Sequence, residues 1–245
     1  LLGLDKLAWN SILPEYDPFK YNSFAVNAGD VVYRLTQEIQ RRIDTLQQRR
    51  GLEEFPLVLA FSSVVDATVS IPALVRGLFS RLPADAGHEL VLFDINHRTD
   101  IEPLMQWDPD ATVRALQEDP DRTFVLNLID NATDQSAEVA LRRLGPGDRI
   151  STESGLGFEW PDGVYSLSHV AIPFPAEDSL YGGRPPPKAQ GLHLGNVALR
   201  GERGVLNVSA SEMLRLRWNP FYPYLRQRVL NFLGLSKPQT GGEGE

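Results

Sequence analysis

The chain has no cysteine. Disulfide scaffolds, thiolate zinc sites and cysteine nucleophiles are therefore excluded. Positive charge is in the minority, with 24 Lys and Arg against 32 Asp and Glu and a net charge of -8. Neutralising a phosphate backbone takes a clustered basic surface, and none occurs, so nucleic acid is excluded as a partner. Long apolar runs are also lacking. The longest, residues 55–65, includes Ser62 and Ser63 and is too short to span a bilayer, so no transmembrane segment is expected. There are only four His, and no His-x-Glu-x-x-His or similar cluster, so neither a metal site nor a cofactor is expected.

What remains is a 245-residue chain that is 42% hydrophobic and 23% charged, enough to bury a core in one large domain or two small ones. Residues 1–26 read as loop, yet they carry Trp9, Tyr16, Phe19, Tyr21 and Phe24 between Pro14 and Pro18. So many aromatics predict a packed segment. An amphipathic helix follows from Asn27, with Val31, Val32, Leu35, Ile39, Ile43 and Leu46 at three- and four-residue spacing and Gly51 as the stop. Residues 1–54 thus form a first section, cap-like in character.

From residue 55 the pattern changes. Phe55-Pro-Leu-Val-Leu-Ala-Phe-Ser62 is a short apolar run of the kind buried on both sheet faces. Residues 71–82, with Pro72 in the first turn, predict a helix, and Glu89-Leu-Val-Leu-Phe-Asp94 predicts a second strand. Strand, helix and strand make a crossover unit, which implies an α/β fold with a mostly parallel sheet flanked by helices. Further on, 110–116 and 136–144 read as helices, 123–130 as a strand and 164–168 as a short strand. Residues 172–190 are Pro-rich and irregular, 222–233 read as a last helix, and 236–245 as a polar tail. The second section is 55–235.

Asp66 stands just past the carboxyl end of the first apolar run, where catalytic and ligand groups gather in parallel sheets. It also suits the cap of the following helix. Among the histidines, His88 reads as a solvated turn residue and His193 as structural in an apolar setting. His97 and His169 both follow strand ends, so either can meet Asp66. The setting of His97, beside Arg98 and Asp100, also suits a surface residue.

The segment running from Phe55 through Ser-Ser-Val-Val-Asp66-Ala-Thr-Val-Ser70 resembles the acid-bearing strand and turn of α/β hydrolases, in particular bacterial relatives of the serine aminopeptidase and monoglyceride-lipase group. Ser166-Leu-Ser-His169-Val-Ala-Ile-Pro-Phe-Pro, with Asp178 and Tyr181-Gly beyond, is similar to the His loop of a branch of that family. Segments 13–24 and 219–224 are similar to it as well. The resemblance implies the carboxyl-terminal half of an α/β-hydrolase fold, a carboxylic ester substrate, Asp66 as triad acid and His169 as triad base. His97, 31 residues beyond Asp66, has the spacing of the plain fold, whereas His169 has the better-matching motif. The aromatic opening and the Pro-rich stretch would wall an acyl pocket.

One part of that constellation is missing. No Gly-x-Ser-x-Gly elbow occurs, and Glu153-Ser154-Gly-Leu-Gly lacks the first Gly and follows the acid in the chain. The first Met is Met105, and the chain opens Leu-Leu-Gly-Leu, so the expectation is a partner: an amino-terminal half of the same protein, cleaved but bound or absent. The alternative is a non-catalytic binding or scaffold module built on the same half fold.

Overall fold

The computed structural model describes residues 8–11, 23–66, 69–99, 108–167, 174–184, 187, 194 and 218–235. They fall into two compact units, Leu1–Phe55 and Pro56–Glu245. In the first, strand β1 (Trp9–Ser11) pairs antiparallel with β2 (Phe24–Ala25), which runs directly into helix α1 (Val26–Gln48). Charged pairs one turn apart, Asp30 with Arg34 at 2.9 Å and Glu38 with Arg42 at 2.7 Å, brace its polar face. Beyond the helix end at Gln48, Arg50 takes the left-handed conformation at φ 56°, one residue before Gly51, the expected stop. Within α1 only Ile43 is buried, and Val31, Val32, Leu35 and Ile39 are exposed.

The second unit is an α/β fold built on one five-stranded sheet. Its strands are β3 (Leu59–Ser63), β4 (Glu89–Phe93), β5 (Val125–Asn131), β6 (Glu138–Leu144) and β7 (Thr152–Glu159), side by side in chain order. The pairings of β4 with β3 and with β5 are parallel, and those of β6 with β5 and with β7 are antiparallel. The sheet is therefore mixed, where the sequence pattern predicts a mostly parallel one. Helix α2 (Ile71–Gly77) and a 3-10 turn, Phe79–Arg81, lie between β3 and β4. Helix α3 (Pro109–Glu118) precedes β5, and α4 (Tyr222–Phe232) comes last.

Alternation along the strands splits the core into two layers. Leu90 and Leu92 of β4 join Leu126 and Leu128 of β5 against Ile71, Val75 and Phe79 from the α2 region and Val113 and Leu116 of α3. Val91, Phe93 and Ile129 face the other way, onto Trp160, Trp218 and Phe221. There Phe221 stacks on Phe93 with centroids 5.7 Å apart and meets Trp160 at a right angle with centroids 5.0 Å apart. All five residues of β4 are buried, which requires cover on both faces. Among the described residues no helix is long and apolar enough to cross a membrane.

His88 reverses its expected place. It is 1% exposed, and its Nδ1 accepts the Val58 N–H at 3.2 Å, leaving Nε2 buried without a partner. Burial lowers its pKa, so the folded state resists the proton that the unfolded chain takes up near pH 6.5. Its contribution to stability is complete above that pH and is lost as pH falls below it. His88→Gln, which keeps an acceptor but cannot titrate, is expected to flatten this part of the stability profile. Urea unfolding of both proteins from pH 7 to 5 measures the difference.

Candidate functional site

Parallel pairing aligns Ser63 with Phe93 and Phe93 with Ile129, so β3, β4 and β5 end on one edge of the sheet. The ladder runs on beyond the strands. Val64 N–H donates to the Phe93 carbonyl and Asp94 N–H to the Ile129 carbonyl, each at 2.9 Å. These bonds bring the turn bearing Asp66 and the strand-end residues Asp94 and Asp130 to the same edge.

Asp66 is half-buried, and its Oδ1 accepts the Val69 N–H at 2.9 Å. It thereby closes a turn, while the helix itself is capped by Ser70, whose Oγ accepts the Ala73 N–H at 3.3 Å. The cap role read from the sequence is thus divided between two residues. His169 and His193 lie outside the described residues. The segment leading to His169 is described: Val164, Tyr165, Ser166 and Leu167 are all buried. Asn96, three residues past β4, donates its N–H to the Tyr165 carbonyl at 2.7 Å and its Nδ2 to the Val164 carbonyl at 3.0 Å. Apart from a bridge at Val164, residues 164–167 form no strand, contrary to expectation. Ser154 is exposed on β7.

His97 is not a solvated surface residue either, its side chain being 16% exposed. Its Nε2 lies 3.7 Å from Asp94 Oδ2 and 3.5 Å from Asp130 Oδ1. The backbone around it is tied down by two asparagines. Asn131 Oδ1 accepts the His97 N–H at 3.0 Å, and Asn131 Nδ2 donates to Asn96 Oδ1 at 3.2 Å. Asp130 also accepts from Arg142, which reaches Glu153 at 3.2 Å with its Nε. Asp110, in the first turn of α3, completes a group with Asp94 and His97 whose donor atoms lie within 4.8 Å of one another.

Burial and the negative charge of Asp94 push the Asp130 carboxyl up to about 6, against the pull of His97, Arg142 and the Asn131 amide. Carboxyl-carbon NMR is expected to show Asp130 titrating near pH 6, and Asp94→Asn to move that midpoint down toward the ordinary carboxylate range.

Sequence spacing had not joined Asp94, Asp110 and Asp130, but a signal for two of them existed. Asp94 and Asp130 each end an apolar strand, in Leu-Phe-Asp and Leu-Ile-Asp. Neighbouring parallel strands that both end in Asp bring the two carboxylates together at one edge.

A separate cavity of about 630 Å³ lies along β6 and β7, walled in part by Ala176, Glu177 and Arg184 of the Pro-rich stretch. Glu138 and Glu159 also line it. Phe158, Trp218 and Pro220 line it as well, so polar and apolar surfaces share its wall. In comparisons with known proteins, the chain matches no family model, no curated protein and no solved structure.

Proposed function

We propose that this chain supplies the acid and the general base of a serine hydrolase acting on carboxylic esters. Asp66 is the acid, His169 the base, and the serine comes from a segment or chain outside these 245 residues. The observation that carries the reading is the meeting of two buried segments at the carboxyl end of β4. One is the Val64 turn, hydrogen-bonded to Phe93 and followed two residues later by Asp66. The other is Tyr165, hydrogen-bonded to Asn96 and followed four residues later by His169.

In the reaction, the imidazole takes the serine proton as the hydroxyl oxygen attacks the ester carbonyl, and returns it to the departing alkoxide. The carboxylate holds the imidazole in the tautomer that can accept and stabilises the imidazolium that forms. The outer edge of β3 also suits this reading. Among the described residues it pairs with no strand, so a further parallel strand has a backbone edge to join. His97 is the weaker candidate for the base, because its ring already faces Asp94 and Asp130.

The test is labelling by a fluorophosphonate and turnover of p-nitrophenyl esters, on the protein together with the segment bearing a Gly-x-Ser-x-Gly elbow. Labelling confined to that serine and lost with His169→Ala is the expected result. Full activity in His169→Ala transfers the role to His97. If neither the encoding gene nor a co-purifying chain contains such an elbow, the binding-module reading replaces the enzyme.

A further inference from the structure

At the amino end of the sheet a side chain fastens two strands together. Leu59 stands opposite Glu89 in the parallel register, which sets Val58, just ahead of β3, beside His88, just ahead of β4. Glu89 N–H donates to the Val58 carbonyl at 2.8 Å, and the Val58 N–H donates to Nδ1 of the His88 ring at 3.2 Å. An accepting Nδ1 fixes the neutral tautomer, with the ring proton on Nε2, where it is buried and meets no acceptor. The His88 carbonyl accepts the Val125 N–H at 2.9 Å, so one residue joins the entries of β3, β4 and β5.

A second ring proton abolishes that acceptor. Both nitrogens of an imidazolium donate, so Nδ1–H would point at the Val58 N–H. No countercharge stands ready either. The charged side chains on adjoining segments are Arg81 and Asp85 ahead of the ring, Glu89 after it and Arg122 ahead of β5, yet burial alone sets the downward shift of its pKa. Glu89 is occupied by Arg143 and Arg228, and Arg122 donates to the Leu116, Gly145 and Asp148 carbonyls. The charged ring is therefore stable only in water. Its path there is short, because the turn before it is exposed at Ala84, Asp85 and Gly87, and Leu57, next to Val58, is 54% exposed. Among the described residues β3 pairs only with β4, and Leu59, Ala60 and Phe61 are partly buried, whereas all of β4 is buried. The entry of β3 is thus the part that opens at least cost. We infer that His88 and Val58 form an acid-released latch: proton uptake expels the imidazole, and the entry of β3 opens from β4 while the rest of the sheet stays folded. This partial opening precedes the global unfolding to which His88 also contributes.

Amide hydrogen exchange, followed by NMR on the 245-residue chain and corrected for the intrinsic effect of pH, tests the latch. The Val58 and Glu89 N–H groups report on it, and the Asp94 N–H, bonded to the Ile129 carbonyl, reports on the interior of the sheet. The ring titrates near its ordinary value of about 6.5 once released and stays neutral while held, so opening at Val58 and Glu89 is expected to rise by as much as about twentyfold from pH 7 to 5. Little surface opens, so this exchange should respond weakly to low urea, while Asp94 exchanges more slowly and responds steeply. His88→Gln, which keeps an acceptor for Val58 but takes up no proton, should abolish the rise. Imidazole nitrogen shifts of the unaltered chain should show the proton on Nε2 at pH 7. Unchanged Val58 exchange at pH 5, an equal rise in His88→Gln, a urea slope at Val58 matching that at Asp94, or a proton on Nδ1 at pH 7 overturns the inference. None of these readouts involves ester turnover, so a failure here is distinct from a failure of the hydrolase reading.

Discussion

Asp66→Asn is expected to lower ester turnover by about four orders of magnitude while KM changes by no more than a few-fold. The argument rests on what the amide keeps and what it loses. Its oxygen can still accept the Val69 N–H, so the turn after β3 survives and unfolding free energy should hold within about 0.5 kcal/mol. What it loses is the negative charge that stabilises the imidazolium and the acceptor pair that selects the reactive tautomer. Because Asp66 acts through the histidine and not on the ester, the loss falls on kcat. His169→Ala should cost as much, and the double variant no more than either single one, since the two act as a unit. Steady-state kinetics on the three variants, in the presence of the nucleophile-bearing segment, decides the matter. A loss of less than tenfold in Asp66→Asn returns that residue to a purely structural role.

The largest expected loss of stability lies at the opposite end of β4. The Glu89 carboxylate is 3% exposed and is held by two guanidiniums, Arg143 of β6 at 2.7 Å and Arg228 of α4. Arg143 also donates to Asn127 of β5 at 3.1 Å, so one acid links three strands and a helix. Glu89→Ala removes the shared partner of both cations and opens a void between them, which should cost about 2–3 kcal/mol, since both guanidiniums keep access to water. Arg143→Ala or Arg228→Ala should each cost clearly less, because Glu89 keeps the other cation. Burial alone would raise the Glu89 carboxyl. Arg143, Asn127 and Arg228 together outweigh burial and hold it below its usual value. A depressed folded pKa gives stability that is present above the unfolded value of about 4.3 and is lost as pH falls through the folded value. Urea midpoints at neutral and acid pH check both claims: the gap between Glu89→Ala and the parent protein should narrow on acidification.

How far the fold was legible depended on which force shaped each element. The runs at 55–62, 89–94 and 123–130 announced themselves because strands covered on both faces must be apolar throughout. The start of α2 was legible from Pro72 in its first turn, though its end tightens into a 3-10 turn at Phe79. Residues 136–144 misled. Glu138, Ala140, Leu141 and Arg142 favour a helix by propensity, yet they form β6. There the partner strand decides, since pairing with β5 seats Arg142 on Asp130 and Arg143 beside Asn127. Propensity is a property of a segment alone and carries no word of its neighbour. For the same reason Asp66 stood out, just past an apolar run, while the Asp94–His97–Asp110 group did not. Its members come from a strand end, a 3-10 turn and a helix start, joined only by the packing of α3 near β4.

The change from parallel to antiparallel pairing at β5 has a kinetic consequence. Strands β5, β6 and β7 follow one another through short turns, so their contacts close small loops and cost little chain entropy. β3 and β4 meet only after a helical crossover of some two dozen residues, and β4 and β5 after a still longer one. Folding that begins where contacts are local starts in the meander, and the parallel strands add to it afterwards. The edge that carries Asp66 and Asp94 is then the last part of the sheet to assemble. Early in folding the chain presents β5 as an open template, and the fold is completed by strands docking toward the candidate site.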